Sequence, residues 1–352
     1  MVRSSWLDFL VAQGASFDRG MTTSFGAVST ELAAARERAV VCDLSPLLGM
    51  LEVTGADAEA FLQGQLCSDV AALAPGATQY SAWCSPKGRV LANFLVRRGA
   101  ATTFQLMLCS GLSEAIATRL RAFVLRSQVK ISDVGTATVR LGVGGPKGSA
   151  ALRSSLGEPP AIARTATIGD AWVVDLPGPR YVVVVPPDAA PRCWQRLRER
   201  ATPAGVAAWR WLTVRAGVPV ITPATSDQFI PQALNWDALG GVSFQKGCYT
   251  GQEIVARTQY LGRLKERLFL AHLGVDPPEP GDRLYSSAFG EQACGTVVDA
   301  AAAPDGGSDA LAVLQLAAAD SGDLHLGSPG GPPLALLALP YGLPAPTARR
   351  II

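Results

Sequence analysis

Gln245-Lys-Gly-Cys-Tyr-Thr-Gly-Gln-Glu-Ile-Val-Ala-Arg257 sets a cysteine between two glycines, two residues after a lysine, and then runs polar side chains into an apolar stretch. Gly247 and Gly251 permit backbone shapes or close approaches that a side chain would block. A thiol reacts as its thiolate, and a cation two residues away favours that form if the loop folds the ammonium toward sulfur. Cys248 and Lys246 are therefore the candidate reactive pair. A cysteine serving only as core filler would need none of this polar company.

Around that stretch, 352 residues exceed the size at which one hydrophobic core keeps growing, so two or three domains are expected. Apolar residues make up 48% and charged residues 17%, the balance of a compact chain with ample buried surface. A net charge of +2 without a long basic run gives little support for binding nucleic acid through its phosphates. Apolar runs such as Tyr181 to Val185 and Leu334 to Leu339 are far shorter than the roughly twenty residues of a membrane span. Trp6 to Val11, interrupted by Asp8, makes a poor signal-peptide core. The seven cysteines are scattered and never spaced CxxC, which argues for reduced thiols in the cytoplasm and against a disulfide framework. With only His272 and His325, a multi-histidine zinc site is excluded and no metal site is expected. His272 lies in the strand-like Leu268 to Leu273, where a bland strand histidine outweighs a catalytic base.

The periodicity predicts an α+β class. A short helix is expected over 33–38 and an extended piece over 40–44. Gly49 to Val53 reads as a strand, and Asp57 as the N-cap of a helix burying Phe61, Leu62 and Leu66. Thr78 to Cys84 and Arg89 to Val96 read as strands joined by the turn Ser85-Pro-Lys-Gly88. Thr103 to Cys109 alternates as a strand. Leu112, Ile116, Leu120 and Phe123 then trace a helical stripe. A second round comes next, with a strand over Thr138 to Val143 and a helix opened by Pro146 and running to about Leu156. A hairpin is expected around Pro177-Gly178, then a helix over Cys193 to Arg200. After Arg263, short strands separated by Pro/Gly-rich loops, with a loop over Ala300 to Ser308, predict a small barrel without a good helix. The expected units are 45–135 as a first α/β lobe, 1–44 with 136–258 as a second lobe, and 259–352 as a β-barrel.

Two motifs tempt and fail. Gly142-Val-Gly-Gly-Pro-Lys-Gly148 follows a strand as a dinucleotide fingerprint would, but its third glycine position is Lys147. Gly241-Val-Ser-Phe-Gln245 lacks the closing glycine of a nucleophile elbow. Trp209-Arg-Trp-Leu-Thr-Val-Arg215 reads as packing on prior odds. A flat indole can also stack on a planar heterocycle, and Arg215 suits a carboxylate-bearing ligand or a surface ion pair.

Lys246-Gly-Cys-Tyr-Thr-Gly-Gln-Glu253, with Phe229-Ile-Pro-Gln-Ala-Leu-Asn235, Leu239-Gly-Gly-Val-Ser-Phe244, Val53-Thr-Gly-Ala-Asp57, Phe61-Leu-Gln-Gly-Gln65 and Pro86-Lys-Gly-Arg-Val90, resembles the YgfZ family. These are folate-binding iron–sulfur maintenance proteins related to the glycine-cleavage aminomethyltransferase. The resemblance implies two ferredoxin-like α/β lobes and a terminal β-barrel, arranged as a three-lobed ring around a hole for tetrahydrofolate. Trp209 falls where the family has a folate-associated tryptophan. A second aromatic expected before the first lobe's Thr-Gly-Ala-Asp stretch is Leu48 here. The aminomethyltransferases carry an aspartate pair where this chain has Ala92 and Asn93, and an amide cannot serve as a charged base.

The resemblance further implies a monomer that binds tetrahydrofolate and supports assembly or repair of iron–sulfur clusters in client enzymes, with tRNA modification as the process affected. Cys248 would face the hole or its mouth with Lys246 holding its thiolate, while Trp209, Arg215, Tyr249, Gln252 and Glu253 would contact the ligand. The partners expected are folate and iron–sulfur client proteins or assembly factors, with no membrane and no direct nucleic acid contact. A folate-dependent transferase or demethylase, and an adaptor with a vestigial pocket, are the alternatives.

Overall fold

The computed structural model describes residues 2–99, 102–161, 164–169, 171–260 and 264–344, with side chains from residue 5 onward. Three large sheets organise them. The first has five strands in the order Thr78–Cys84, Val90–Arg98, Thr103–Cys109, Leu48–Thr54 and Lys130–Asp133, all antiparallel. Helices Ala58–Gln65 and Ser113–Arg121 accompany it. Phe61, Leu62 and Leu66 are buried as their spacing predicts. Asp57 precedes the helix but its side chain does not cap it; Oδ2 accepts from Gln128 N at 2.7 Å and ties down the loop leading to the last strand. The stripe after Leu112 ends at Arg121, so Phe123 lies beyond the helix, exposed and edge-on to Trp83.

The second sheet is mixed: Thr165–Ile168, Ala171–Leu176, Arg180–Val185, Val139–Gly144, Val40–Asp43 and Thr202–Pro203, the last pair parallel. The hairpin around Gly178 is present, with Leu176 opposite Arg180. Helices Gly148–Ser155 and Ala190–Arg198 belong to this sheet's round, and Val28–Glu37 is longer than the sequence suggests. Three further helices stand where the sequence reading expects none: Val2–Ala12, Val206–Arg215 and Gln252–Tyr260. In Val206–Arg215, Trp209, Trp211, Leu212, Thr213 and Val214 are all buried, so almost no polar face marks it as a helix.

The third sheet orders His325–Leu326, Arg283–Tyr285, Gly295–Ala302, Ser308–Gln315, Glu266–Leu273 and Leu334–Leu337. It curls until its edge strands approach through a single bridge, His325 to Pro333. The expected barrel is therefore a curled sheet joined at one point. The expected loop over 300–308 is present but shorter, spanning 303–307, because Ala300–Ala302 already pair with Ser308–Ala310. A short helix, Leu316–Ser321, also interrupts this region. Among the described residues, no helix is long and apolar enough to cross a membrane.

The segment after helix Val206–Arg215 fastens the sheets together. Val90 and Phe229 pair backbone to backbone, and Asn235, in the left-handed region at φ 57°, donates from Nδ2 to Leu268 O at 2.9 Å. Arg267 grips Asp237 through two bonds of 2.6 and 2.9 Å. A guanidinium–carboxylate fork buried this deeply is sensitive to loss of either member.

Candidate functional site

A cavity of about 390 Å³ lies where the three sheets meet, a size typical of small-ligand sites. Leu48, Tyr80, Asn93 and Met107 reach it from the first sheet, Arg180 and Val182 from the second, and Asp299 from the third. Trp209 and Thr213 enter from helix Val206–Arg215. Met21 and Glu279, both exposed, mark its mouth.

Trp209 owes its position to a glycine. Gly142 and Gly144 share one face of strand Val139–Gly144; a Cβ at Gly142 would come within 2.6 Å of Trp209, and one at Gly144 within 2.7 Å of Leu212. The glycine-rich run that imitates a nucleotide fingerprint is thus the bed on which this helix lies. Leu48 lines the cavity where a second aromatic is missing, while Tyr80 and Trp236 supply aromatic surface elsewhere in the wall, their rings 5.2 Å apart at 49°.

Arg180 is 2% exposed. Its Nε donates to Pro177 O at 3.0 Å and Nη1 to Thr213 Oγ1 at 2.8 Å, while Thr213 Oγ1 donates to Trp209 O. The guanidinium carbon sits 5.6 Å from the centre of the Trp209 ring. Burial pulls the Arg180 pKa down, and burial pushes the Tyr80 phenol up to about 12. Tyr80 and Asp175 attract the guanidinium and the Tyr80 phenol is its hydrogen-bonding neighbour, yet Nη2 makes no bond of good geometry, and among the described residues no carboxylate lies within ion-pair distance of it.

Asn93 uses both ends of its amide. Nδ2 donates to Pro219 O at 2.7 Å and Oδ1 accepts from Ile221 N at 3.0 Å. An ionised aspartate could satisfy the second contact but would set a negative oxygen against a carbonyl at the first. Ala92 is buried against the neighbouring strand opposite Trp83.

The 245–257 stretch builds a second place, outside the cavity lining. Lys246 is buried, and its ammonium donates to Gln63 O, Leu66 O and Ser68 O at 2.5, 2.6 and 3.0 Å. All three ammonium protons are thereby spent on the C-terminal end of helix Ala58–Gln65, where unpaired carbonyls and the helix dipole favour a cation. Burial draws its pKa down to about 8, and the three carbonyls replace the lost water. The expectation that Lys246 holds a thiolate is corrected by this geometry: the lysine anchors the loop. Tyr249 is buried beside it, its ring centre 5.2 Å from Nζ, and burial pushes its phenol well up.

Gly251, at φ 83°, rests on the Ser85–Gly88 turn; a Cβ there would meet Ser85 O at 2.4 Å and Gly88 Cα at 3.0 Å. Gly247 differs, having open space around it and no positive φ. Between these anchors Cys248 is exposed to solvent.

Of the residues expected at the ligand, Trp209 lines the cavity. Arg215 is instead an exposed partner of Asp309 at 3.6 Å, and that aspartate also accepts from Trp211 Nε1 and contacts His272. Tyr249 packs under the motif loop, and Gln252 and Glu253 open helix Gln252–Tyr260 away from the lining, with Glu253 exposed. Sequence reasoning misses Arg180, Tyr80, Trp236 and Thr213. Arg180 alone leaves a signal, a charge at the head of the apolar strand Arg180–Val185.

Residues 11–165 match the family described as the GCVT N-terminal domain. The aminomethyltransferase T of the glycine cleavage system from Bartonella henselae has the same fold, with a TM-score of 0.76 over 95% of this chain and 96% of its own at 19% identity. The tRNA-modifying protein YgfZ of Yersinia pseudotuberculosis serotype O:1b (strain IP 31758) is 35% identical over 303 residues, 84% of this chain and 90% of its own. That of Enterobacter sp. (strain 638) is 38% identical over 263 residues, 72% of this chain and 79% of its own. With identity of this level across so much of both chains, the protein belongs to the YgfZ family.

Proposed function

We propose that this protein binds tetrahydrofolate in the central cavity, within a three-lobed ring, and supports the assembly or repair of iron–sulfur clusters in client enzymes through Cys248. The clients would include enzymes that modify tRNA, in keeping with the name its relatives carry. The observation that carries the reading is the separation of two places. One is a walled cavity with Trp209, Tyr80 and a buried unpaired donor on Arg180; the other is an exposed thiol on a loop anchored at both flanks.

The cavity residues fit a folate. Its mostly apolar wall suits a flat ring, and Arg180 offers a donor that no protein group meets with good geometry. When bound, a reduced folate supplies a carrier for one-carbon units. Trp209 and Tyr80 would hold the ring, the apolar wall would exclude water, and the mouth near Arg210 would accept a charged tail. Cys248 would act outside the cavity on sulfur or iron. One cysteine cannot ligate a cluster that takes four ligands, so its contact is transient or completed by the client.

Aminomethyl transfer has less support, because position 92 carries no acid and the Asn93 amide is fully engaged with the 219–221 backbone. An adaptor with a vestigial pocket has less support, because a walled cavity lined by Trp209, Tyr80 and the unmatched Arg180 donor is retained.

The test has two arms. Calorimetry of the purified protein should show saturable binding of tetrahydrofolate or 5-formyltetrahydrofolate. Cys248→Ala should fold normally and bind folate, yet fail to restore cluster-dependent enzyme activity in cells lacking the protein. Full restoration by Cys248→Ala would reject the role of the thiol.

A further inference from the structure

Among the charged side chains that line the cavity, Arg180 is the one with a buried donor left without a hydrogen bond of good geometry; Trp236 Nε1, in the same wall, is an unmatched neutral donor. Arg180 is 2% exposed, and two of its three nitrogens are occupied by Pro177 O and Thr213 Oγ1. Those two bonds fix the plane of the guanidinium, and Thr213 is itself held by Trp209 O on the same helix. The third nitrogen, Nη2, is buried in the wall of the cavity and makes no hydrogen bond of good geometry, with the Tyr80 phenol as the polar protein group that interacts with the guanidinium there. Leaving such a donor unmet is unfavourable, the more so when the group is charged. Buried polar groups are otherwise almost always satisfied, so an acceptor belonging to a ligand is the natural complement.

The surroundings decide what carries that acceptor. Arg180 lies beside Trp209 and shares the wall with Tyr80 and Val182, away from the exposed Met21 and Glu279 at the mouth. Arg210 stands nearer solvent, half exposed and paired with Asp299 at 2.7 Å. Flexible charged groups of a ligand are better hydrated at that open end, whereas the region around Arg180 suits a rigid ring.

We propose that Arg180 Nη2 donates to the ring carbonyl of a pteridine held in this cavity, making Arg180 the residue that selects a 4-oxo ring over a 4-amino ring. This deepens the folate reading and rests on it. A carbonyl accepts the Nη2–H, while an amino group in its place turns a donor toward a donor. Sites built to hydrogen-bond one substituent reject its mismatched analogue strongly because the buried partner is left unpaired. Thr213 is a positioning residue here, since it aims the guanidinium through Nη1.

Folic acid and aminopterin, which differ in the 4-oxo and 4-amino group, provide the probe pair, with binding followed by calorimetry on the full chain. Wild type should favour folic acid by about tenfold or more. Arg180→Met should lose most of that preference by weakening folic acid alone, Arg180→Lys should retain part of it, and Thr213→Val should reduce it with a smaller loss. 6-Hydroxymethylpterin, which lacks the glutamate tail, should weaken with Arg180→Met as folic acid does. Thermal melts show which variants remain folded, and Thr213→Val carries the test if Arg180→Met does not fold. An unchanged preference in folded variants overturns the proposal, as does a loss confined to the tailed ligands, which would make Arg180 a carboxylate reader. Wild type binding neither folic acid, aminopterin nor a reduced folate overturns the folate reading and this inference with it.

Discussion

The first and second sheets, each with its helices, repeat one plan, a strand leading into a helix and then a hairpin, but each accommodates a different guest. In the first the Ser85–Gly88 turn receives Gly251, and the end of helix Ala58–Gln65 receives Lys246. It thereby carries the exposed thiol. In the second, Gly142 and Gly144 clear one face of a central strand so that helix Val206–Arg215 can press Trp209 toward the cavity beside Arg180. Similar scaffolds have been divided between presenting an exposed thiol to solvent and shaping a buried cavity wall.

If that division is right, the two glycine contacts should fail differently. Gly251→Ala places a methyl against Ser85 O in a backbone region L residues avoid, and should destabilise the protein by about 3 kcal/mol in urea unfolding. Gly142→Ala meets ring and leucine atoms that can shift, and should cost about 2 kcal/mol while weakening folate binding. Equal effects on binding from both variants would break the comparison.

Lys246→Met strips three carbonyls of their donor and should cost about 2 kcal/mol. Limited proteolysis should cut the 245–251 loop faster in this variant; unchanged cutting would remove the lysine's anchoring role. Asn93→Asp should cost about 1–2 kcal/mol at neutral pH by opposing Pro219 O. The new carboxyl should have a raised folded-state pKa, so its penalty should shrink as pH falls and the acid regains a proton to donate. Unfolding curves at pH 5 and 8 read the sign directly. Cys248→Ala, on an exposed residue without packing, should change stability by no more than about 0.5 kcal/mol.

Much of the fold was legible because alternation and helical spacing survive wherever one face is buried and the other is wet. Leu48–Thr54 and the hairpin at Gly178 were readable for that reason. Helix Val206–Arg215 was not, since burial on most sides erases the period. The site divided in the same way. Cys248 and Trp209 stand in distinctive local sequence, whereas Tyr80, Trp236 and Arg180 converge from distant segments and acquire meaning only in three dimensions. Lys246 shows the limit of reading proximity along a chain: two residues from the thiol, it spends its charge on a helix end in another part of the molecule.

The two-handed grip of Asn93 on Pro219 and Ile221 bears on any attempt to redesign this protein as a transferase. Swapping in an acid at that point would also pry loose the strap running from helix Val206–Arg215 toward the first sheet. A workable redesign would have to reroute residues 219–221 together with it, so it takes several coordinated changes rather than one.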